Sequence, residues 1–164
     1  MDPVTLEITI DRPREEVFAY LADIANHPEF TDHYLKEWRL TREESEGQGA
    51  GARYRADQRF NRFGWYDMTF IEVEAPFRIR AVGRGGKFNR SKTYTEWTLH
   101  PTAGGTRLEY MTEIEAPLPT DRAFEALAGT RRFFRRGARR ALKRLQSILE
   151  ENRDRGARAT IAGL

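Results

Sequence analysis

Between Leu35 and Pro117, apolar residues recur at every second position in a series of short runs. A two-residue period places alternate side chains on opposite faces of an extended chain, which is typical of strands. The runs predict strands near Lys36–Glu43, Ala52–Phe60, Gly64–Glu74, Phe77–Gly83, Lys92–His100 and Thr106–Ala116. Short connections rich in glycine, proline and asparagine separate these runs, and they favour hairpins over parallel strands joined by helices. The sequence therefore predicts an antiparallel meander.

A further strand and two short helices are predicted before the meander. The stretch Val4–Asp11 alternates strictly and predicts a half-buried strand. Pro13 follows, at a position where its missing N–H is tolerated in the first turn of a helix. The residue before a proline avoids the helical region, so Pro28 predicts a break and a second short helix. Phe30 and Tyr34 are four residues apart and share one face of it.

A long amphipathic helix is predicted after the meander. Apolar residues recur at helical spacing from Phe124 to Leu149, which predicts a helix from about Thr120 to Glu151. Gly129 and Gly137 lie inside it and are possible sites of a bend or of close packing. The pattern ends at Asn152. We therefore expect one domain over residues 1–151 and a frayed tail over residues 152–164.

Composition excludes several kinds of protein. The chain has 164 residues, 12% aromatic residues and no cysteine, which excludes disulfides, a thiol nucleophile and cysteine metal ligands. We expect a soluble cytoplasmic protein, because no apolar run is long enough to span a bilayer. The net charge is only +3, but arginines concentrate in the final helix.

Three stretches resemble one protein superfamily. They are ITIDRPREEVFAYLADIANHPEF near the N-terminus, the hairpin WTLHPTAGGTRLEY, and the single amphipathic C-terminal helix. Together with the order of elements, they resemble the helix-grip fold of the START-like (SRPBCC) superfamily, which includes birch-pollen-allergen-like and polyketide cyclase/dehydrase-like proteins. The resemblance implies an α+β fold in which a curved, seven-stranded antiparallel sheet wraps around the long C-terminal helix. The two short helices would hold the open end of the sheet apart and leave a cavity between sheet and helix.

The resemblance implies that the protein binds a hydrophobic small molecule or lipid in this cavity. An enzyme of the polyketide cyclase/aromatase type is the alternative. A peripheral membrane adaptor that uses the basic helix is a second alternative. We predict no cofactor, since GRGGKFN does not lead from a strand into a helix. We also predict no nucleic-acid partner, and the sequence leaves weak contact with anionic membranes and the oligomeric state open.

Aromatic residues are the main candidates for the cavity wall, because they combine apolar surface with a few polar atoms. The strands and their turns carry many of them, Phe60 included, and about half are expected to face inward. The register of the strands decides which half does so. The predicted ligand-binding residues are Phe30, Tyr34, Tyr54, Trp65, Phe88, Trp97, Tyr110, Phe124 and Leu127.

Catalysis would require an acid or base inside the cavity. The candidates are Asp67, Glu96 and Tyr110, with Arg55 or Arg80 polarising a substrate oxygen. Pairing of the two carboxylates with arginines on the outer face is the favoured alternative. A metal site is not expected, because the spacing of His27 and His33 matches no common zinc pattern.

Overall fold

The structure is a computed structural model that describes residues 1–59 and 62–163. Within this part of the chain, seven strands form one antiparallel sheet in the order β1-β7-β6-β5-β4-β3-β2. The strands are β1 (Val4–Ile10), β2 (Leu35–Leu40), β3 (Gly51–Ala56), β4 (Trp65–Glu74), β5 (Arg78–Gly85), β6 (Ser91–Thr102) and β7 (Gly105–Glu115). The predicted meander is confirmed. The third strand ends at Ala56, earlier than predicted, and Phe60 lies outside the described residues.

Two short helices connect the strands at opposite edges of the sheet, as predicted. They are α1 (Arg14–Ala22) and α2 (His27–Thr31), and a single 3-10 turn, Ile24–Asn26, joins them. The carboxylate of Asp23 caps this turn by accepting a hydrogen bond from the Ala25 N–H at 3.1 Å. The chain needs this bridge because β1 and β2 are the two edge strands and cannot be joined by a hairpin.

The predicted C-terminal helix is two helices, α3 (Pro119–Leu127) and α4 (Thr130–Glu151). Between them, Gly129 adopts a left-handed conformation with a φ of 66°, which a helix cannot continue through. The side chain of Gln58 fixes the break by donating a hydrogen bond to the carbonyl oxygen of Ala128 at 2.7 Å. Across the described residues, no helix has the length and apolar composition needed to cross a membrane.

The core lies between α4 and the concave face of the sheet. Each long strand sends alternate side chains inward, and in the β6–β7 hairpin Trp97 lies opposite Tyr110, and Leu99 opposite Leu108. The buried face of α4 covers them with the side chains of Phe134, Ala138, Ala141, Leu142, Leu145 and Ile148.

The prediction of a frayed tail is wrong for the described residues 152–163. The Ala159 N–H donates to the Ala25 carbonyl oxygen at 2.9 Å, and Ala159 is buried. Arg155 forms an ion pair with the buried Glu29 at 2.9 Å, and Arg158 forms one with the buried Asp23 at 2.5 Å. These contacts involve charged groups and backbone, so apolar periodicity gives no sign of them. The tail packs along the segment from Asp23 to Glu29 and pairs with the two buried carboxylates of that segment.

Replacing Leu145 by alanine should destabilise the fold strongly. Leu145 is 0% exposed, and large-to-small changes at such sites cost about 2–5 kcal/mol because they leave a cavity. The matched control is Leu127→Ala on α3, where the side chain is 89% exposed and the expected change is below about 0.5 kcal/mol. Urea unfolding measures both. Equal losses in the two variants would contradict the packing of α4 described above.

Candidate ligand-binding cavity

A small cavity lies between the concave face of the sheet, α2 and α4. Its volume is about 30 Å³, which is room for roughly one water molecule. Aromatic and aliphatic side chains form most of its wall. The lining residues are His27, Phe30, Thr31, Tyr34, Leu35, Trp38, Met68, Trp97, Tyr110, Ala138, Ala141 and Leu142.

Phe30 and Tyr34 form the wall on the side of the short helices. The ring of Phe30 packs against His27, with ring centroids 5.5 Å apart. The ring of Tyr34 lies directly on α4 at Gly137, where an added Cβ would come within 2.3 Å of Tyr34 Cδ2. Glycine at position 137 is therefore what allows this tyrosine to close the cavity at that side.

Trp97 and Tyr110 form the wall on the side of the sheet, with ring centroids 5.8 Å apart. Tyr54 lies deeper in the core and does not line the cavity, but it stacks on Trp38 with ring centroids 4.6 Å apart. Trp38 lines the cavity and was not among the predicted residues. Strict alternation from Leu35 would direct Trp38 outward.

A β-bulge brings Trp38 inward. Glu37 has a φ of 54°, and the pairing of β2 with β3 shifts between Lys36 and Arg39. The extra residue lets Leu35 and Trp38, three positions apart, both face the interior. The same shift explains why a two-residue period misses this tryptophan.

Besides Tyr54, four predicted ligand-binding residues lie outside the cavity. Trp65 is on the outer face of β4, where the Arg53 guanidinium lies 5.3 Å from its ring centroid; its neighbour Tyr66 points inward instead. Phe88 is 74% exposed in a turn after β5. Phe124 and Leu127 are exposed because α3 leaves the line of α4 at Gly129.

The two candidate carboxylates also lie on the outer face. Asp67 faces Arg53 at 3.7 Å, and Glu96 forms an ion pair with Arg80 at 2.7 Å. Arg55, the other candidate for polarising a substrate, pairs with Glu37 at 2.6 Å. The favoured alternative of outer-face pairing is thus what the structure shows. None of these four charged groups can act inside the cavity.

The polar atoms of the interior belong mainly to tyrosines. Burial raises the pKa of Tyr34 well above its ordinary value, and burial also raises the pKa of Tyr110 to about 12. The hydroxyl groups of these two residues interact with each other. Both phenols are therefore protonated at neutral pH. They can donate hydrogen bonds to a ligand, but they cannot serve as bases.

The two histidines beside the cavity have structural partners. Nε2 of His27 donates to the Leu21 carbonyl oxygen at 2.9 Å, and Nε2 of His33 donates to the Gly137 carbonyl oxygen at 3.0 Å. Burial lowers the pKa of both, to about 4 for His27. Residues 1–59 and 62–163 contain no cluster of three or more metal-binding side chains.

Phe133 bears on the hypothesis of a membrane adaptor, which needs an exposed aromatic residue within the basic face of the helix. Its ring is partly buried, with its centroid 6.0 Å from that of Tyr34 and 5.4 Å from that of Phe134. Phe133 is therefore part of the wall around Tyr34. Membrane contact stays a prediction without support from this residue.

A sheet that grips a helix over an aromatic cavity defines a helix-grip protein of the START-like superfamily. The family profile described as polyketide cyclase/dehydrase and lipid transport matches residues 1–150. The chain belongs to that family, and the predicted resemblance is confirmed. No curated protein sequence matches the chain significantly.

Solved structures share the fold at low sequence identity. KanY is 16% identical with a TM-score of 0.73, and the match covers 92% of this chain and 99% of KanY. Norcoclaurine synthase from Thalictrum flavum, solved with dopamine and hydroxybenzaldehyde, is 14% identical with a TM-score of 0.66, covering 93% and 87%. DynU16, from the dynemicin biosynthetic locus, is 18% identical with a TM-score of 0.62, covering 95% of this chain but 50% of its own. At these identities the likeness shows the fold alone.

His27 should make the stability of the protein depend on pH. Its pKa is about 4 in the folded state and 6.5 when unperturbed, so the unfolded chain binds the proton more tightly. The contribution of neutral His27 is fully present above pH 6.5 and is lost as the pH falls toward 4. Between pH 7 and pH 5 the loss should be about 2 kcal/mol.

Urea unfolding at the two pH values measures this loss. His27→Gln keeps a side-chain N–H but cannot titrate, so it should remove about 2 kcal/mol of the pH dependence. His100→Gln is the control, because His100 is only partly buried, with 41% of its side chain exposed. An unchanged pH dependence in His27→Gln would show that other groups cause the loss.

Proposed function

We propose that the protein binds a hydrophobic small molecule in the interior between the concave face of the sheet and α4. The observation that carries this proposal is the aromatic wall formed by Phe30, Tyr34, Trp38, Trp97 and Tyr110. Ligand sites in proteins are mostly apolar and contain a few placed polar groups, here the phenol hydroxyls. No described lining residue is charged at neutral pH, which favours an uncharged apolar group at this position.

The surface of α4 above the cavity supports the proposal. The helix lines the cavity with the small residues Ala138 and Ala141 together with Leu142. The two alanines keep the helix backbone close to the interior and leave space beneath it. A protein that needed only a filled core would gain stability from larger residues at these two positions.

Binding requires the cavity to widen. Its volume of about 30 Å³ is far below the roughly 300–1,000 Å³ of typical ligand sites. Tyr34 also lines an open pocket of about 530 Å³ on its outer side. Displacement of this one side chain would join the two spaces. We therefore propose that a ligand enters beside Tyr34.

The family relationship is consistent with a hydrophobic ligand. The family description names polyketide cyclases, dehydrases and lipid transport, and lipids are largely apolar molecules. Norcoclaurine synthase, which shares the fold, was solved with two aromatic ligands, dopamine and hydroxybenzaldehyde. These relationships support a lipid, a quinone or a polyketide-like ring system as the class of ligand to test.

A neutral fluorescent probe, N-phenyl-1-naphthylamine, tests the proposal. The wild-type protein should bind it, and Trp97→Ala should change the affinity about fivefold or more, since one aromatic contact contributes about 1 kcal/mol. Trp65→Ala is the matched control on the outer face and should bind like the wild type. Because Trp97→Ala removes core volume, circular dichroism must show an intact fold, and Trp97→Phe serves as a milder variant. Absence of probe binding to the wild type would refute the proposal.

An enzyme of the cyclase/aromatase type is a second candidate, and the Tyr34–Tyr110 pair is the observation that favours it. A protonated phenol can donate a hydrogen bond to a ligand carbonyl oxygen and so make the adjacent C–H more acidic. The cavity wall would meanwhile hold a poly-ketone chain in a folded conformation. No described carboxylate lines the cavity, so a basic group of the substrate or a water molecule would have to accept the proton.

Tyr110→Phe tests this second candidate. If Tyr110 donates such a hydrogen bond, its loss should slow cyclisation of a reactive poly-ketone about 100-fold, as when one stabilising donor is removed. Tyr94→Phe is the control, because Tyr94 lies on the outer face beside Arg80 and Glu96. Equal rates in both variants, or in the absence of protein, would leave binding as the function.

A further inference from the structure

The pocket on the outer side of Tyr34 has a basic wall. Arg132, Arg136 and Arg140 recur every four residues along α4, so they lie on one side of the helix. All three are exposed and line this pocket of about 530 Å³. Phe133 and Gly137 lie between them and form its apolar part.

The charges of these three arginines are not compensated. Among the described residues, none of the three donates a hydrogen bond or forms an ion pair, and no acidic side chain lines the pocket. Other arginines of the same helix differ: Arg144 pairs with Asp32, and Arg131 donates to the Pro3 carbonyl oxygen. Three neighbouring cations without a partner repel one another and attract an anion.

The basic pocket is continuous with the proposed binding cavity. Tyr34 lines both spaces, and its ring lies between Phe133 and Gly137 of the pocket and Trp97 and Tyr110 of the cavity. A molecule that displaces this ring would have one end in an uncharged aromatic interior. Its other end would stay beside the arginines.

We propose that the ligand is an anionic amphiphile whose carboxylate or phosphate group contacts Arg132, Arg136 and Arg140 while its apolar part passes Tyr34 into the cavity. This inference rests on the proposed function and adds the charge and orientation of the ligand. A guanidinium group forms two parallel hydrogen bonds with a carboxylate or a phosphate, which an uncharged head group cannot match. Burying the anion in the aromatic interior would be costly, so only the apolar end can enter.

Isothermal titration calorimetry with three ligands of equal chain length tests the charge. Decanoate and decyl phosphate should each bind the wild-type protein about tenfold or more tightly than decanol, through charge-assisted hydrogen bonds. Comparison of the affinities for decanoate and decyl phosphate shows whether the protein prefers a carboxylate or a phosphate head group. Binding of the anions, but not of decanol, should weaken as the salt concentration rises.

Two triple variants with equal net charge test the position. R132Q/R136Q/R140Q should lose most of the preference for the anions and still bind decanol. R131Q/R135Q/R139Q removes three charges from a neighbouring side of α4 and should keep the preference. A triple lysine variant at positions 132, 136 and 140 retains charge and should keep part of the preference. Circular dichroism and urea unfolding show whether each variant is folded.

The outcomes separate this inference from the proposed function. If the wild-type protein binds all three ligands equally, or if both glutamine variants lose the preference equally, the anion site is wrong and the hydrophobic cavity stands. If no ligand binds, including decanol, the proposed function fails together with the inference. A preference for the anions that only R132Q/R136Q/R140Q abolishes supports the site.

Discussion

The packing of α4 against the concave face of the sheet is the interaction on which the rest of the structure depends. A curved sheet with an apolar inner face must be covered, and α4 is the only described helix long enough to do so. Its large residues, such as Leu145 and Ile148, contribute to the core, whereas Ala138 and Ala141 leave the gap that becomes the cavity. One face of the helix therefore has two roles: its large residues stabilise the fold, and its small residues line the cavity.

The α4 helix also holds α2 in place. His33 donates to the Gly137 carbonyl oxygen, and Arg144 bonds to Asp32 and to the Glu29 carbonyl oxygen. These bonds fix α2 at the end of the cavity and direct Tyr34 onto the helix. The position of this tyrosine follows from the contact between two helices, and its ring separates the cavity from the basic pocket.

The residues that line the cavity are uncharged, and the charged side chains of the sheet lie on its outer face. The carboxylates of Asp67 and Glu96 pair with arginines on the outer face, while Tyr34 and Tyr110 supply protonated hydroxyls inside. Burying an unpaired carboxylate among aromatic rings would greatly lower the stability of the folded protein. Burying a hydrogen-bonded phenol costs much less free energy. This arrangement favours recognition of an apolar group, with hydrogen bonding available to one or two of its polar atoms.

The order of strands and helices could be predicted from the sequence, because apolar residues recur with a different period in strands and in helices. The residues that line the cavity could not all be predicted. Both faces of β4 carry aromatic residues, so alternation alone could not separate Trp65 from Tyr66. The bulge at Glu37 turns Trp38 inward against the two-residue period, so Trp38 was not predicted to line the cavity. The break at Gly129 leaves Phe124 and Leu127 exposed although they continue the apolar pattern of the helix. The tail docks through arginine pairs that leave no apolar pattern.

Entry of an apolar ligand into the interior between the sheet and α4, as proposed above, can be observed at the tryptophan side chains. The protein carries three tryptophans, of which Trp38 and Trp97 line the cavity and Trp65 lies on the outer face. Two-dimensional ¹H–¹⁵N NMR spectra resolve their indole N–H signals during titration with a neutral ligand such as decanol. We expect the signals of Trp38 and Trp97 to shift in a saturable manner while the signal of Trp65 stays in place. A shift confined to Trp65, or no shift at any of the three, would contradict binding in the interior.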